Sequence, residues 1–242
     1  MEVVSLIQQF DQVMQAEGAE QVLLAEVQGL PVYAYELVRE GAERTCYLSA
    51  GMHGDEPASP RALLYLLRSG VLGRDVNWLI CPILNPTGVA AGTRENFQGV
   101  DMNRDYLHQR TSEAKAHAAW LDEKEIDLMV SLHEDWESSG FYFYEINQSE
   151  DDPSRYLRIK RAVEAVMPME PMDDIDGHPV RELGWIYHGI EADEPKLWPE
   201  AIYVAEGGCP LSFTLESPSS LPIEERVAAH SAALKEILSL CL

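Results

Sequence analysis

The chain has 242 residues, enough to bury a sizeable core in one large domain or two small ones. Its 46% apolar and 8% aromatic content is ordinary for a globular protein and argues against disorder. Its 41 acidic residues outweigh 18 basic ones, giving a formal charge of -23. A field of that sign repels nucleic acid and anionic membrane surfaces, so neither is expected as a partner.

The opening stretch "MEVVSLIQQFDQVMQAEGAE" lacks the basic start and apolar centre of a signal peptide and reads as an amphipathic helix. "QVLLAEVQG" and "PVYAYELV" read as two strands joined at Gly29 and Pro31, and "TCYLSAG" as a third. "ASPRALLYLLRSG" has helical apolar spacing with a glycine stop. "VNWLICPIL" is a buried strand, "NPTG" a turn, and Ala90 to Gln109 a long polar segment. The helix "TSEAKAHAAWLDEKE" and the strand "IDLMVSLH" follow. "FYFYEIN" alternates as a strand and "PSRYLRIKRAVEAVM" reads as a helix. Pro168 to Pro199, rich in proline, glycine and acid, is expected to be an irregular excursion. "AIYVAEG" and "LSFTLES" read as strands, and "PIEERVAAHSAALKEILSL" as a closing amphipathic helix.

No internal repeat or long polar linker divides the chain, so one catalytic domain over 1–242 is expected. Strands alternating with helices predict a three-layer α/β sandwich with a mixed, largely parallel central sheet. No run reaches the ~18 apolar residues of a membrane span. Cys46, Cys81, Cys209 and Cys241 are far apart, without a CxxC pair, and read as reduced thiols of a cytoplasmic protein. The oligomeric state is left open.

In sheets of this kind, working groups gather at the carboxyl ends of strands. His53, Asn85, His133 and Glu216 all follow or end strand-like runs. A catalytic zinc takes about three nitrogen and carboxylate ligands and keeps a position for water. His53 and Glu56, three residues apart in "GMHGDE", can point at one ion, and "SLHED" can deliver His133 as the third ligand. A lone strand-end histidine is more often structural, so the weight lies in the set. Glu216 in "FTLESP" is a carboxylate at the end of an apolar strand, where a general base would sit. "GTRENFQGVDMNRDY" adds Arg94, Asp101, Asn103 and Arg104. Guanidinium forks match carboxylate geometry.

In this order, "GMHGDE", "NPTG", "TRENFQGVDMNRDY", "SLHED" and "FTLESP" resemble the zinc carboxypeptidase superfamily, including the succinylglutamate desuccinylase/aspartoacylase group and the small murein-peptide amidases. The resemblance runs from about Leu48 to Pro218, with an unmatched middle between Gly140 and Ala201. It implies one zinc per chain held by His53, Glu56 and His133, with Asp101 orienting the first histidine and Glu216 as general base. It also implies Arg94 as the group polarising the scissile carbonyl, with Asn103 and Arg104 holding a substrate carboxylate. The expected activity is hydrolysis of an amide beside a free carboxylate in a small peptide. The alternatives are deacylation of an N-acyl amino acid and, in another class, noncatalytic binding on the same fold. No motif identifies a substrate-capping tyrosine; Tyr187 and Tyr203 are candidates. His108, His117, His178, His188 and His230 are expected to be structural or solvent-facing, and "YHGIEADE" to be either pocket wall or plain loop.

Overall fold

The structure is a computed structural model and describes residues 3–242; Met1 and Glu2 lie outside the described residues. The strands are β1 (Glu20–Val27), β2 (Leu30–Leu37), β3 (Arg44–Ser49), β4 (Val76–Cys81), β5 (Leu128–Asp135), β6 (Tyr142–Asn147), β7 (Asp174–Ile175), β8 (His178–Pro179), β9 (Trp185–His188) and β10 (Leu211–Pro218). The helices are α1 (Val3–Glu17), α2 (Ala58–Arg68), α3 (Pro86–Ala91), α4 (Ser112–Leu121), α5 (Ser154–Glu164), α6 (Glu200–Glu206) and α7 (Ile223–Cys241).

Eight strands form one sheet in the order β1-β2-β4-β3-β5-β10-β6-β9. The β4-β3-β5-β10 ladder is parallel, β1, β2 and β6 join antiparallel, and β9 runs parallel to β6. This is the mixed, largely parallel α/β sandwich expected from the alternation of elements. Successive side chains on a strand point to opposite faces. Cys46, Leu48, Val130, Leu132, Phe141, Phe143, Phe213 and Leu215 bury into a core capped by α1, α2, α5 and α7. Tyr47 and Met129 point the other way, into a second core with α4 and α6. The same alternation sends Ser49, Ser131, His133, Thr214, Glu216, Tyr142 and Tyr144 to that second face. A one-residue slip in any of these ladders would send the polar set into the apolar core, so the register of the site is enforced by burial of the other face.

Three expectations are corrected here. "AIYVAEG" forms helix α6, not a strand. Its alternating apolar residues suggest a strand, but the central positions are taken by β10, which lies between β5 and β6. "NPTG" opens α3, with the Asn85 side chain accepting from the Gly88 N–H at 2.8 Å as an N-cap. The Pro168 to Pro199 excursion carries a β7–β8 hairpin, and β9 extends the main sheet. All four cysteines are free, and three are buried. Among the described residues no helix is long and apolar enough to cross a membrane.

Candidate active site

The bend after β3 is built by two glycines. Gly51 has φ +64, a region that L side chains rarely adopt. Gly54 lies so close to the start of α3 that a Cβ there would stand 1.9 Å from the Gly88 carbonyl carbon. Its N–H donates to the Thr93 carbonyl at 2.8 Å. This contact turns the chain sharply, so that His53 on the bend and Glu56 just before α2 face the same point.

His53, Glu56 and His133 are buried, and one donor atom from each lies within 4.8 Å of the others. Nδ1 of His53 is 2.5 Å from Glu56 Oε1, and Nδ1 of His133 is 3.0 Å from Glu56 Oε2. His53 Nε2 lies 3.1 Å from Asp101 Oδ1, which accepts its hydrogen. With Nε2 donating to Asp101, Nδ1 of His53 faces the Glu56 carboxylate, an arrangement satisfied by a proton on Nδ1 or by a metal ion in its place. Burial disfavours the charge on His53, yet Glu56 and Asp101 raise its pKa to about 9. Burial likewise opposes ionisation of Glu56, and the two imidazoles overcome it, holding its pKa at about 2. A divalent ion asks for the same things: an ionised carboxylate, two imidazoles, and a carboxylate behind one imidazole. The donor set fits zinc.

Arg94 is held by Asp101, Nε to Oδ2 at 3.0 Å, and its Nη1 lies 3.7 Å from Glu56. Asp101 therefore orients His53 and Arg94 together, and both push its carboxyl below the usual range although burial acts the other way. Glu216 stands opposite His133 in the β5–β10 ladder and opposite Tyr142 in the β10–β6 ladder. Desolvation raises its carboxyl well above the ordinary value; His133 opposes this, while Glu56, Asp135 and Asp176 add to it. Asn103 and Arg104 lie on the 3-10 turn Met102–Arg104, capped by Asp101. Arg104 donates to the Asn103 carbonyl at 2.9 Å, and among the described residues no acidic side chain pairs with it within 4 Å. What sets this guanidinium apart is its place in the wall of the cavity that the three donors share.

His53, Glu56, His133, Arg94, Asn103, Arg104 and Glu216 line one cavity of about 450 Å³. The eighth expected residue, Asp101, reaches it through His53 and Arg94. Neither Tyr187 nor Tyr203 belongs to the cavity wall; Tyr203 bonds Asp122 at 2.5 Å, and the tyrosines in the wall are Tyr142 and Tyr144. His117 is a buried structural residue between the hydroxyls of Tyr47 and Tyr106, at 2.8 and 2.7 Å. His178 and His188 do line the cavity, with Asp193 and Glu194 from "YHGIEADE".

Glu200 was not foreseen. At the first turn of α6, its buried carboxylate accepts from Tyr47 at 2.5 Å, Ser49 at 2.9 Å and Ser131 at 3.2 Å. Its own N–H donates to Asn103 Oδ1 at 2.9 Å. Burial raises its carboxyl, and the hydroxyl donors pull it back. Asn103 thus spends its carbonyl on α6 and offers only its NH₂ to the cavity. An acid after a proline and before an apolar run is a helix-start signal, masked here by the strand-like run behind it. Glu134, next to His133, points away: it accepts from the Ala58 N–H at 2.5 Å and pairs with Arg226.

Residues 42–234 match the model of the succinylglutamate desuccinylase/aspartoacylase catalytic domain. Part of the chain is 30% identical to carboxypeptidase SOL1 of Arabidopsis thaliana, over 44% of this chain and only 27% of that protein's length. Among solved structures, a proposed metallopeptidase from Shewanella baltica superposes with a TM-score of 0.83 at 27% identity, covering 98% of this chain and 91% of the other. A second from Shewanella amazonensis gives 0.85 at 24% identity over 98% and 92%. A metallo-carboxypeptidase from Pseudomonas aeruginosa, in complex with (2-guanidinoethylmercapto)succinic acid, shares the fold at 0.71 and 19% identity, covering 97% of this chain and 67% of its own.

Proposed function

The chain belongs to the succinylglutamate desuccinylase/aspartoacylase catalytic-domain family, within the zinc carboxypeptidase-like superfamily; from that premise we propose that it is a zinc-dependent hydrolase cleaving an amide bond beside a free carboxylate, a carboxypeptidase-type activity. The observation that carries the reading is the unpaired Arg104 in the same cavity as the His53, Glu56 and His133 donors. A cation held near a metal centre and left without a protein acid is an anchor for a substrate carboxylate.

Bound zinc would supply Lewis acidity and a water acidified toward neutral pH. The chain's own residues do the rest. Glu216, the register partner of His133 and part of the same cavity wall, takes the proton from the attacking water and returns it to the leaving amine. Arg94, fixed through Nε by Asp101, directs its remaining N–H groups at the oxygen on which charge develops. Arg104 and the NH₂ of Asn103 hold the carboxylate beside the scissile bond. Glu200 keeps Asn103 in place through its backbone N–H.

The family match favours a second reading, in which the same residues release an acyl group from an N-acyl amino acid. The two are separated by incubating the zinc-loaded protein with C-terminal peptide, murein-tripeptide and N-acyl amino acid substrates and analysing the products. Turnover of a substrate with a free carboxylate, lost on amidation of that carboxylate, is expected. Full metal occupancy with no turnover of any of the three would favour a binding protein.

A further inference from the structure

We propose that His178, His188 and Asp193 form a second divalent-metal site, distinct from the His53, Glu56 and His133 centre. The three come from separate pieces of the Pro168 to Pro199 excursion: the β8 strand of the hairpin, the end of β9, and the loop that leads to α6. Their donor atoms converge within 4.8 Å. His178 Nε2 stands 3.2 Å from Asp193 Oδ2, and His188 Nε2 stands 3.1 Å from Asp193 Oδ1. Ligands on a tetrahedral zinc stand about 3.4 Å apart, and each imidazole already lies near that distance from one oxygen of the Asp193 carboxylate, the two rings meeting different oxygens.

The second observation is the orientation of His188. Its Nδ1 lies 2.6 Å from the Gly189 carbonyl and must donate to it. That bond fixes the tautomer and leaves the Nε2 lone pair of the neutral ring aimed at the carboxylate, as in metal-ligating imidazoles oriented by a backbone carbonyl. Without a cation, two imidazoles would have to donate to one carboxylate, one of them while donating on its other side as well. Tyr144 packs edge-on against both rings, at 5.7 and 6.1 Å between centroids, and holds them in place. Two imidazoles and a carboxylate suit zinc or a neighbouring transition metal, not calcium or magnesium.

Such an ion would tie hairpin, strand and loop into one wall of the cavity, and its open positions would face water, since the Asp193 side chain is 63% exposed. It would be a structural clasp on the substrate-facing wall, needing no part of the reaction proposed above.

The test is equilibrium dialysis of chelator-stripped protein against micromolar zinc, followed by elemental analysis. The wild type should take up about two zinc equivalents per chain, and His178→Gln and Asp193→Asn about one each. His133→Ala should also retain about one, lost when His178→Gln is added. Asp193→Asn changes an exposed side chain, and circular dichroism of each variant establishes that it is folded. Binding of a single zinc by the wild type, unaffected by His178→Gln and Asp193→Asn, would overturn the proposal. A single zinc lost with His178→Gln but retained with His133→Ala would support it and instead remove the reading of the buried centre.

Discussion

Glu216 is the direct register partner of His133 in the parallel ladder of β5 and β10. A candidate base and a candidate metal ligand are therefore held apart by interstrand spacing, about 4.8 Å between backbones. The ladder fixes both side chains on one face of the sheet, in the wall of one cavity. Glu216→Gln keeps the shape and removes the proton acceptor. It should retain zinc and fold while losing roughly 10²- to 10⁴-fold in kcat. Steady-state kinetics beside metal analysis checks it, and near-normal turnover would reassign the base.

Arg104→Ala should lower kcat/KM about 10- to 100-fold, as expected for losing a charge-assisted bond of about 1.5–3 kcal/mol. The loss should be smaller on a substrate whose carboxylate is amidated, because that substrate never made the contact. Equal losses on both would make Arg104 a support of the 3-10 turn.

Asp101→Asn leaves an acceptor for His53 but turns an amide toward Arg94. Zinc affinity at the buried centre should weaken about 10- to 100-fold, the usual effect of changing a group behind a ligating histidine. Competition with a chromophoric chelator, in a His178→Gln background, measures it; unchanged affinity would mean that Asp101 serves Arg94 alone.

Gly54→Ala should destabilise the fold by about 3 kcal/mol or more, above the ordinary range for overpacking, because the added Cβ meets backbone and not a mobile side chain. Gly73→Ala, where a Cβ meets only the Asp75 side chain at 3.0 Å, is the mild control. Denaturant midpoints that fall equally for the two variants would show that the Gly54–Gly88 contact has room to relax.

His117, buried between two tyrosines, has its pKa lowered by desolvation to about 3. The unfolded chain binds that proton near the ordinary value of about 6.5. The folded state does not bind it until much lower pH, so His117 costs no stability above about pH 6.5 and a growing amount as pH falls below it. The stability advantage of wild type over His117→Gln should shrink by about 1.4 kcal/mol per pH unit below 6.5. Denaturant unfolding at pH 7, 6 and 5 reads this slope; parallel curves would mean that the ring titrates in the fold as it does in the unfolded chain.

Much of the site could be read from the sequence because its residues sit at punctuation. Glycines flank His53, a strand run ends near His133 and Glu216, and arginines stand out in an acidic chain. Those signals are local. Glu200 depends on something local patterning does not carry, namely that three hydroxyls from β3 and β5 wait on the far side of the sheet for an acid at the start of α6. "AIYVAEG" shows the same limit: its alternation is compatible with a strand, and the insertion of β10 between β5 and β6 decides against it. His178 and His188 are 10 residues apart, at no spacing that announces a shared partner, and a hairpin brings them to a ring separation of 4.8 Å.

The place of β10 in the sheet also sets an order of events during synthesis. His53, Glu56 and His133 all precede Gly140, and the strands bearing or flanking them, β3 and β5, pair directly. Glu216 follows Pro210, on a strand that must enter between β5 and β6 after both have been made. A domain generally folds as a unit, and pairings between distant segments carry the larger loop-closure cost. The candidate metal donors are therefore synthesised before the candidate base, and the sheet that sets them facing one another is complete only once β10 lies between β5 and β6.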